Sequence, residues 1–192
     1  LREGREPRSD TRARILKAMQ DFGDGEAQAP LRIGVAGLGN VGATLVRILQ
    51  KDGTELTRKL GRNLVVTAVA ARSRSRDRGI DISGLEWFDD PVALAKSDGI
   101  DLFVELIGGE DGPTFAAVKA ALEIGRPVVT ANKALLAKHG VALARLAEAT
   151  GAQLGFEAAV AGGIPVIKTL REGLGSASIA KVFGIMNGTC NY

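Results

Sequence analysis

The chain has 192 residues, which suits one domain of ordinary size or one domain and the start of a second. Its 45% apolar and 24% charged residues and its net charge of +3 are typical of a soluble globular protein, so we expect neither a nucleic-acid nor a membrane partner. A single histidine excludes a multi-histidine metal site. A single cysteine excludes an intrachain disulfide, and this, together with the lack of an apolar signal segment, favours the cytoplasm.

Residues 1–30 are predicted to be an extension and linker without a role in chemistry. Ser9 is placed to cap a short amphipathic helix, and Gly23–Pro30 has the composition of a linker. The apolar side of that helix would be formed by Ile15, Leu16, Met19 and Phe22. Because the chain starts at leucine rather than methionine, we expect it to be a piece of a longer protein.

From Leu31 onward, predicted strands alternate with predicted helices. The predicted strands are Leu31–Ala36, Leu64–Ala71, Leu102–Leu106, Pro127–Thr130, Gln153–Phe156 and Ile179–Met186, and the predicted helices are Val41–Lys51, Pro113–Ile124, Val141–Thr150 and Pro165–Leu174. This alternation predicts an α/β fold with a doubly wound, mostly parallel sheet, which is the Rossmann-type dinucleotide-binding fold.

Two further predictions concern the helix Val41–Lys51 and His139. In that helix the apolar residues Val41, Leu45, Ile48 and Leu49 are expected on one face. His139 precedes Gly140 at an expected helix end, where a cation would suit the helix dipole.

A glycine motif lies between the first strand and the first helix. Gly37, Gly39 and Gly42 match G-x-G-x-x-G, in which the first glycine allows a tight turn, the second admits a pyrophosphate and the third lets helix and strand pack closely. The free amides at the helix start would bind the phosphates. We therefore predict that the dinucleotide contacts Gly37, Leu38, Gly39, Asn40, Val41 and Gly42. The alternative is a glycine-rich turn without a ligand.

The end of the second strand bears on the choice between NAD and NADP. An NAD site usually has an acid there, but this chain has Arg72 and Ser73, with Arg74, Arg76 and Arg78 close behind. A guanidinium can hold a 2′-phosphate through two hydrogen bonds, so Arg72 and Ser73 predict that NADP is accepted and preferred. The alternative is that these arginines form a solvated loop.

Four longer stretches resemble the homoserine dehydrogenases from about Leu31 to Tyr192. They are Ile33–Gly42 (IGVAGLGNVG), Glu105–Gly109 (ELIGG), Val129–Ala137 (VTANKALLA) and Phe156–Gly173 (FEAAVAGGIPVIKTLREG), which continues to Gly184–Tyr192 (GIMNGTCNY). The resemblance implies an NAD(P)-dependent oxidoreductase of threonine and methionine biosynthesis, which interconverts L-homoserine and L-aspartate 4-semialdehyde. It implies NAD(P) binding by residues 31–163 and the start of a substrate domain in residues 164–192.

The resemblance also implies roles for individual residues. Lys133 resembles the lysine at the reacting centre, where an ammonium stabilises the negative charge that forms on the aldehyde oxygen. Further cofactor contacts would come from Ile107, Gly108, Gly109, Thr130, Ala131, Asn132 and Lys133. A monovalent cation such as Na⁺ would bind backbone carbonyls of Glu157, Val160, Gly162 and Ile164, and the substrate would lie near Gly188 and Thr189.

The chain departs from the family pattern in two ways. Asn40 stands where threonine is common, but asparagine can still cap a helix. The chain also stops at Tyr192, whereas the family continues with a domain that supplies a second lysine, an acid for the substrate and the usual homodimer contact. We therefore expect this piece to bind NADP(H) weakly without turnover. Two alternatives remain open: an aspartate-semialdehyde dehydrogenase that uses Cys190, and a non-catalytic dinucleotide-binding module.

Overall fold

The computed structural model describes residues 28–183. The predicted N-terminal helix, Gly188, Thr189 and Cys190 lie outside the described residues. In chain order the elements are β1 (Leu31–Ala36), α1 (Asn40–Lys51), α2 (Gly53–Leu60), β2 (Leu64–Ala70), β3 (Glu86–Phe88), α3 (Pro91–Lys96), β4 (Leu102–Glu105), α4 (Pro113–Glu123), β5 (Val128–Thr130), α5 (Lys133–Thr150), β6 (Leu154–Gly155), a 3₁₀ turn (Glu157–Ala159), α6 (Val166–Lys168) and a π-helical turn (Thr169–Gly173).

The six strands form one sheet in the order β3-β2-β1-β4-β5-β6, and all neighbouring pairs are parallel. β1 lies in the middle, and the chain winds outward first to one side and then to the other. This is the strand order of the doubly wound dinucleotide-binding fold, so the predicted fold class is confirmed. Ligands of such sheets bind at the carboxyl ends of the central strands, where the winding changes direction.

Apolar side chains are buried on both faces of the sheet. On one face, Ile33 and Val35 of β1 pack with Val46 and Leu49 of α1. On the other face, Ala36 packs in a cluster that includes buried residues of α3, α4 and α5. Burial on both faces explains why the strands are continuously apolar instead of alternating.

The inward side of α1 differs from the prediction. Leu49 is buried as expected, but Val41 and Ile48 are 62% and 43% exposed. The residues that α1 buries are Gly42, Ala43, Val46 and Leu49. The helix begins directly against the turn after β1, so small residues take the inward positions of its first turn.

α5 is longer than predicted because it begins at Lys133 rather than Val141. The Asn132 side chain accepts a hydrogen bond from Leu135 N at 3.1 Å and caps this earlier start. His139 and Gly140 therefore lie within the helix, and the expectation that His139 marks a helix end is wrong. A glycine inside a helix costs only about 1 kcal/mol, which tertiary packing readily offsets.

Several short elements also differ from the prediction. β3, α3 and α2 were not predicted, and β6 is shorter than the expected strand Gln153–Phe156. The helix expected over Pro165–Leu174 is a three-residue α-helix that continues as the π-helical turn. Residues 179–183 of the predicted strand Ile179–Met186 have no regular structure, and its other residues are outside the described range. No helix within residues 28–183 has both the length and the apolar character needed to cross a membrane.

Candidate functional site

The glycine-rich turn connects the end of β1 to the start of α1, as predicted. Gly37 has a φ of 95° and donates its N–H to Ala70 O at 2.8 Å. A Cβ at Gly37 would lie 2.4 Å from Leu106 O, and a Cβ at Gly42 would lie 1.9 Å from Gly37 O. The first and third glycines are thus required by the close packing of the turn itself.

Gly39, the second glycine of the motif, faces open space. A Cβ placed on it would have no protein atom within 4 Å. Its φ of −74° is accessible to any residue, so local backbone strain does not explain a glycine here. Close approach of a ligand to the backbone would explain the glycine, and the turn therefore fits a pyrophosphate group.

The start of α1 offers amides to an anion. Gly39 occupies the N-cap position without a side-chain hydrogen bond to the helix, and the first turn contains no acid. The expectation that Asn40 caps the helix is wrong, because Asn40 is already its first residue. The N–H groups of the first turn have no intrahelical acceptors, and the positive end of the helix dipole lies beside them. This arrangement stabilises a negatively charged group.

A cleft of about 640 Å³ opens beside this turn, at the carboxyl ends of the strands. Its volume is within the range of small-molecule and cofactor sites. The predicted site residues that line it are Gly37, Leu38, Gly39, Arg72, Ser73, Ile107 and Gly108. Other lining residues include Arg76, Arg78, Asp89, Asp111 and Thr114. A smaller pocket of about 320 Å³ near the amino end of β2 is lined by none of the predicted site residues.

A buried carboxylate organises the side of the cleft beyond β4. Glu105 is fully buried at the end of that strand. Its Oε1 accepts hydrogen bonds from the N–H groups of Ile107 and Gly108 at 2.7 and 3.2 Å. Its Oε2 accepts one from the Thr130 hydroxyl at 2.6 Å. One side chain thus fixes the loop after β4 relative to the end of β5. Glu105 was not predicted from the sequence as a site residue.

Hydrogen bonds continue from Thr130 to the start of α5. Thr130 Oγ1 accepts from Asn132 N at 3.0 Å, and Asn132 Nδ2 donates to Gly109 O at 2.5 Å. Lys133 follows Asn132 as the first residue of α5 and is exposed. The network thus joins the ELIGG and TANK stretches, although Thr130, Ala131, Asn132 and Lys133 are not among the residues that line the cleft.

Charged side chains tie the loop after β4 to α5. His139 Nε2 lies 2.8 Å from Asp111 Oδ1, and the His139 ring stacks on Phe115 with 4.2 Å between centroids. Lys138 forms ion pairs with Asp111 and with Glu110. Hydrogen bonds from Lys138 and then His139 lower the pKa of the Asp111 carboxyl. The only histidine of the chain therefore anchors this loop.

The predicted cation-binding turn lies between β6 and α6. Its residues are Glu157, Val160, Gly162 and Ile164. The Glu157 carboxylate accepts hydrogen bonds from the N–H groups of Ile167 and Lys168, at 3.0 and 2.9 Å, at the start of α6. Its side chain is therefore engaged in capping, and a cation would have to use backbone carbonyls. That site stays a prediction. Among residues 28–183, no three His, Cys, Asp or Glu side chains are grouped as metal ligands.

Comparison with known proteins identifies the family. The family model of the homoserine dehydrogenase NAD binding domain matches residues 37–157, which is more than half of the chain. The chain belongs to the homoserine dehydrogenase family. The matched range begins at the first glycine of the turn and ends in the 3₁₀ turn after β6. It therefore contains the whole cleft and both hydrogen-bonded loops.

Relatives in the homoserine dehydrogenase family extend well beyond this chain. Homoserine dehydrogenases of Mycobacterium tuberculosis and Neisseria gonorrhoeae are 42% and 43% identical over 165 and 163 residues, covering 86% and 85% of this chain. The chain spans 37% of the length of each relative. These proteins support the homoserine dehydrogenase hypothesis and not the aspartate-semialdehyde dehydrogenase alternative.

Solved structures of the family share the fold. The crystal structure of a homoserine dehydrogenase from Thiobacillus denitrificans has a TM-score of 0.71 and 40% identity, covering 79% of this chain and 35% of that chain. A hyperthermophilic archaeal homoserine dehydrogenase in complex with NADPH has a TM-score of 0.61 and 26% identity, covering 75% of this chain and 49% of that chain.

Proposed function

We propose that this chain is the cofactor-binding part of an oxidoreductase that interconverts L-homoserine and L-aspartate 4-semialdehyde. The observation that carries the proposal is the turn around Gly39 between β1 and α1, where backbone amides at the start of α1 lie beside open space. A dinucleotide held there would supply the oxidant, taking the hydride from C4 of the alcohol while the hydroxyl gives up its proton, and in its reduced form would supply the hydride for the reverse reaction. Membership of the homoserine dehydrogenase family supports the choice of substrate.

The dinucleotide would lie along the cleft with its pyrophosphate at the turn Gly37–Gly42. Its adenosine ribose would then extend toward the end of β2, where Arg72 and Ser73 line the cleft. A guanidinium there favours the 2′-phosphate of NADP, and no acid takes its place to bind a free 2′-hydroxyl. We therefore infer a preference for NADP(H), with NAD(H) as the weaker ligand. The NADPH bound by the archaeal relative supports this choice.

The nicotinamide would lie toward the loops after β4 and β5. Ile107, Gly108 and Gly109 would contact it on one side, and the segment Thr130–Lys133 would complete the site. The Lys133 ammonium would then stabilise negative charge on the substrate oxygen. Support comes from the hydrogen bonds that join these two loops through Glu105 and Asn132.

The proposal extends to other parts of the enzyme. Residues 31–163 would form the NAD(P)-binding domain and residues 164–192 the start of the substrate domain. Gly188 and Thr189 would lie near the substrate, and backbone carbonyls of Glu157, Val160, Gly162 and Ile164 would bind a monovalent cation. The complete enzyme would be a cytoplasmic homodimer. It would act in the formation of threonine and methionine.

Binding and turnover separate the parts of this proposal. Calorimetric titration of the 192-residue chain with NADP⁺ is expected to show weak binding. Because the chain spans 37% of its relatives, we expect it not to reduce NADP⁺ when L-homoserine is added. The polypeptide encoded by the whole reading frame that contains it should do so. Failure of both polypeptides to bind either dinucleotide at millimolar concentration would reject the proposal, and rapid homoserine oxidation by the chain alone would reject the division of roles.

A further inference from the structure

Arg78 joins two loops that border the cleft. Each nitrogen of its guanidinium donates a hydrogen bond to a backbone carbonyl: Nε to Leu38 O at 3.1 Å, Nη1 to Arg76 O at 2.7 Å and Nη2 to Ser73 O at 2.5 Å. Leu38 belongs to the glycine-rich turn, whereas Ser73 and Arg76 belong to the loop after β2. Only a planar group with several diverging donors can make this connection from one side chain.

The position of Arg78 is itself fixed by neighbouring elements. Its guanidinium carbon lies 5.7 Å from the centroid of the Trp87 ring in β3, a cation–π contact. Arg47 of α1 donates to the carbonyls of Arg78 and Gly79 at 3.2 and 3.4 Å. The residue is therefore held from β3 on one side and from α1 on the other.

The loop that Arg78 holds carries the basic side chains of the cleft. Arg72, Ser73 and Arg76 line the cleft, and residues 71–80 contain no helix or strand. Without a ladder of backbone hydrogen bonds, the distance of this loop from the pyrophosphate turn depends on side-chain contacts. Among them, the Arg78 bond to Leu38 directly spans the two segments.

We propose that Arg78 is a positioning residue that holds the loop Arg72–Arg78 against the glycine-rich turn, so that Arg72 and Arg76 face the 2′-phosphate of NADP. It thereby sets the preference for NADP over NAD. The inference rests on the proposed function, since it requires a dinucleotide in the cleft. Arg78 acts through the geometry of its hydrogen bonds, and its charge alone does not suffice.

The test compares binding of NADP⁺ and NAD⁺ to the 192-residue chain by calorimetry. Arg78→Lys keeps the charge but loses the diverging donors, so the ratio of the NAD⁺ Kd to the NADP⁺ Kd should fall about ten-fold, as for one lost hydrogen bond to a charged group. Arg74→Lys is the matched control, because Arg74 is exposed in the same loop and outside the described residues that line the cleft. Its ratio should stay within about two-fold of wild type.

Two further variants separate positioning from direct contact and from charge. In an Arg72→Ala, Arg76→Ala background, Arg78→Lys should cause no additional loss of preference, because the side chains that it positions are gone. Arg78→Gln should lower the ratio at least as much as Arg78→Lys. Thermal unfolding of each variant defines a common temperature at which all are folded, so that the ratio reports on the site and not on overall stability.

The outcomes are distinct. An unchanged ratio in Arg78→Lys, or a fall only in Arg78→Gln, would overturn the inference in favour of simple charge. A further fall in the double-alanine background would overturn it in favour of direct phosphate contact. If wild type binds both dinucleotides equally well, the inference fails but the proposed function stands. If wild type binds neither, the proposed function itself fails.

Discussion

Replacing Gly39, the second glycine of the turn, tests the proposed pyrophosphate site most directly, because folding and binding are expected to respond differently. Gly39→Ala adds a methyl group with no protein atom within 4 Å, at a φ of −74° that alanine adopts freely. Gly→Ala at such a position raises the free energy of unfolding by about 0.4–1 kcal/mol, because it restricts the unfolded chain. Gly39 is also the N-cap of α1, where alanine is less favourable than glycine by a similar amount, so the folded protein should be about as stable as wild type.

Binding of NADP⁺, in contrast, should weaken clearly. The new methyl group lies where the backbone would approach the pyrophosphate, so Gly39→Ala should weaken NADP⁺ binding by at least about ten-fold, or about 1.4 kcal/mol. Gly42→Ala provides the contrast, since its Cβ would lie 1.9 Å from Gly37 O and the helix would have to move away. Such overpacking lowers the free energy of unfolding by about 1–3 kcal/mol.

The assay pairs thermal unfolding with calorimetric titration for wild type, Gly39→Ala and Gly42→Ala. At this chain length a change of 1 kcal/mol corresponds to about 2–4 °C in the melting temperature. Equal NADP⁺ affinities of Gly39→Ala and wild type would contradict the proposed pyrophosphate site. A loss of stability in Gly39→Ala as large as that in Gly42→Ala would contradict the open space beside Gly39.

Three other changes follow from the structure. Glu105→Leu should lower the free energy of unfolding by about 3 kcal/mol, since one buried and two part-buried donors lose their acceptor. Glu105→Gln should retain most of the stability in denaturant titrations, and equal losses in the two variants would contradict this role of Glu105. Hydrogen bonds from Arg32 lower the pKa of Asp101 from 3.8 to about 2. The half-exposed Arg32–Asp101 pair therefore contributes fully to the free energy of unfolding above about pH 4 and progressively less as the pH falls toward 2. Asp101→Asn should remove this pH dependence and lower the free energy of unfolding by about 1 kcal/mol at neutral pH. Unfolding measured at several pH values checks both effects. Arg72→Ala should reduce the preference for NADP⁺ over NAD⁺ in parallel titrations, and an unchanged preference would indicate a solvated arginine.

The features that could be predicted from the sequence are those encoded locally. The strand–turn–helix around Gly37–Gly42 combines an apolar run, three glycines and a helical pattern within one short segment, and the structure has this arrangement. The winding of the sheet follows from the alternation of strands and helices. Short elements escaped prediction because β3 has three residues and α3 has six, which is too few for either periodicity to emerge.

Other features depend on contacts between distant parts of the chain. Glu105 appears in the sequence only as an acid at the end of an apolar strand, and its three donors come from the loop after β4 and from the end of β5. Arg78 appears as one of several arginines in a charged stretch, and only the structure shows that it binds carbonyls of two loops. The start of α5 was misplaced because Gly140 suggested a break, while the cap that Asn132 provides was not recognised. In each case the deciding partner is not specified by the local pattern.

The most direct test of the central claim is to observe which backbone amides respond when NADP⁺ is added to the isotope-labelled chain. Nuclear magnetic resonance resolves each amide, and the largest shift changes are expected at the turn Gly37–Gly42, with further changes at Ser73 and Gly108. Saturable changes at those positions would support the account. Changes confined to other surfaces, or none at millimolar NADP⁺, would contradict it.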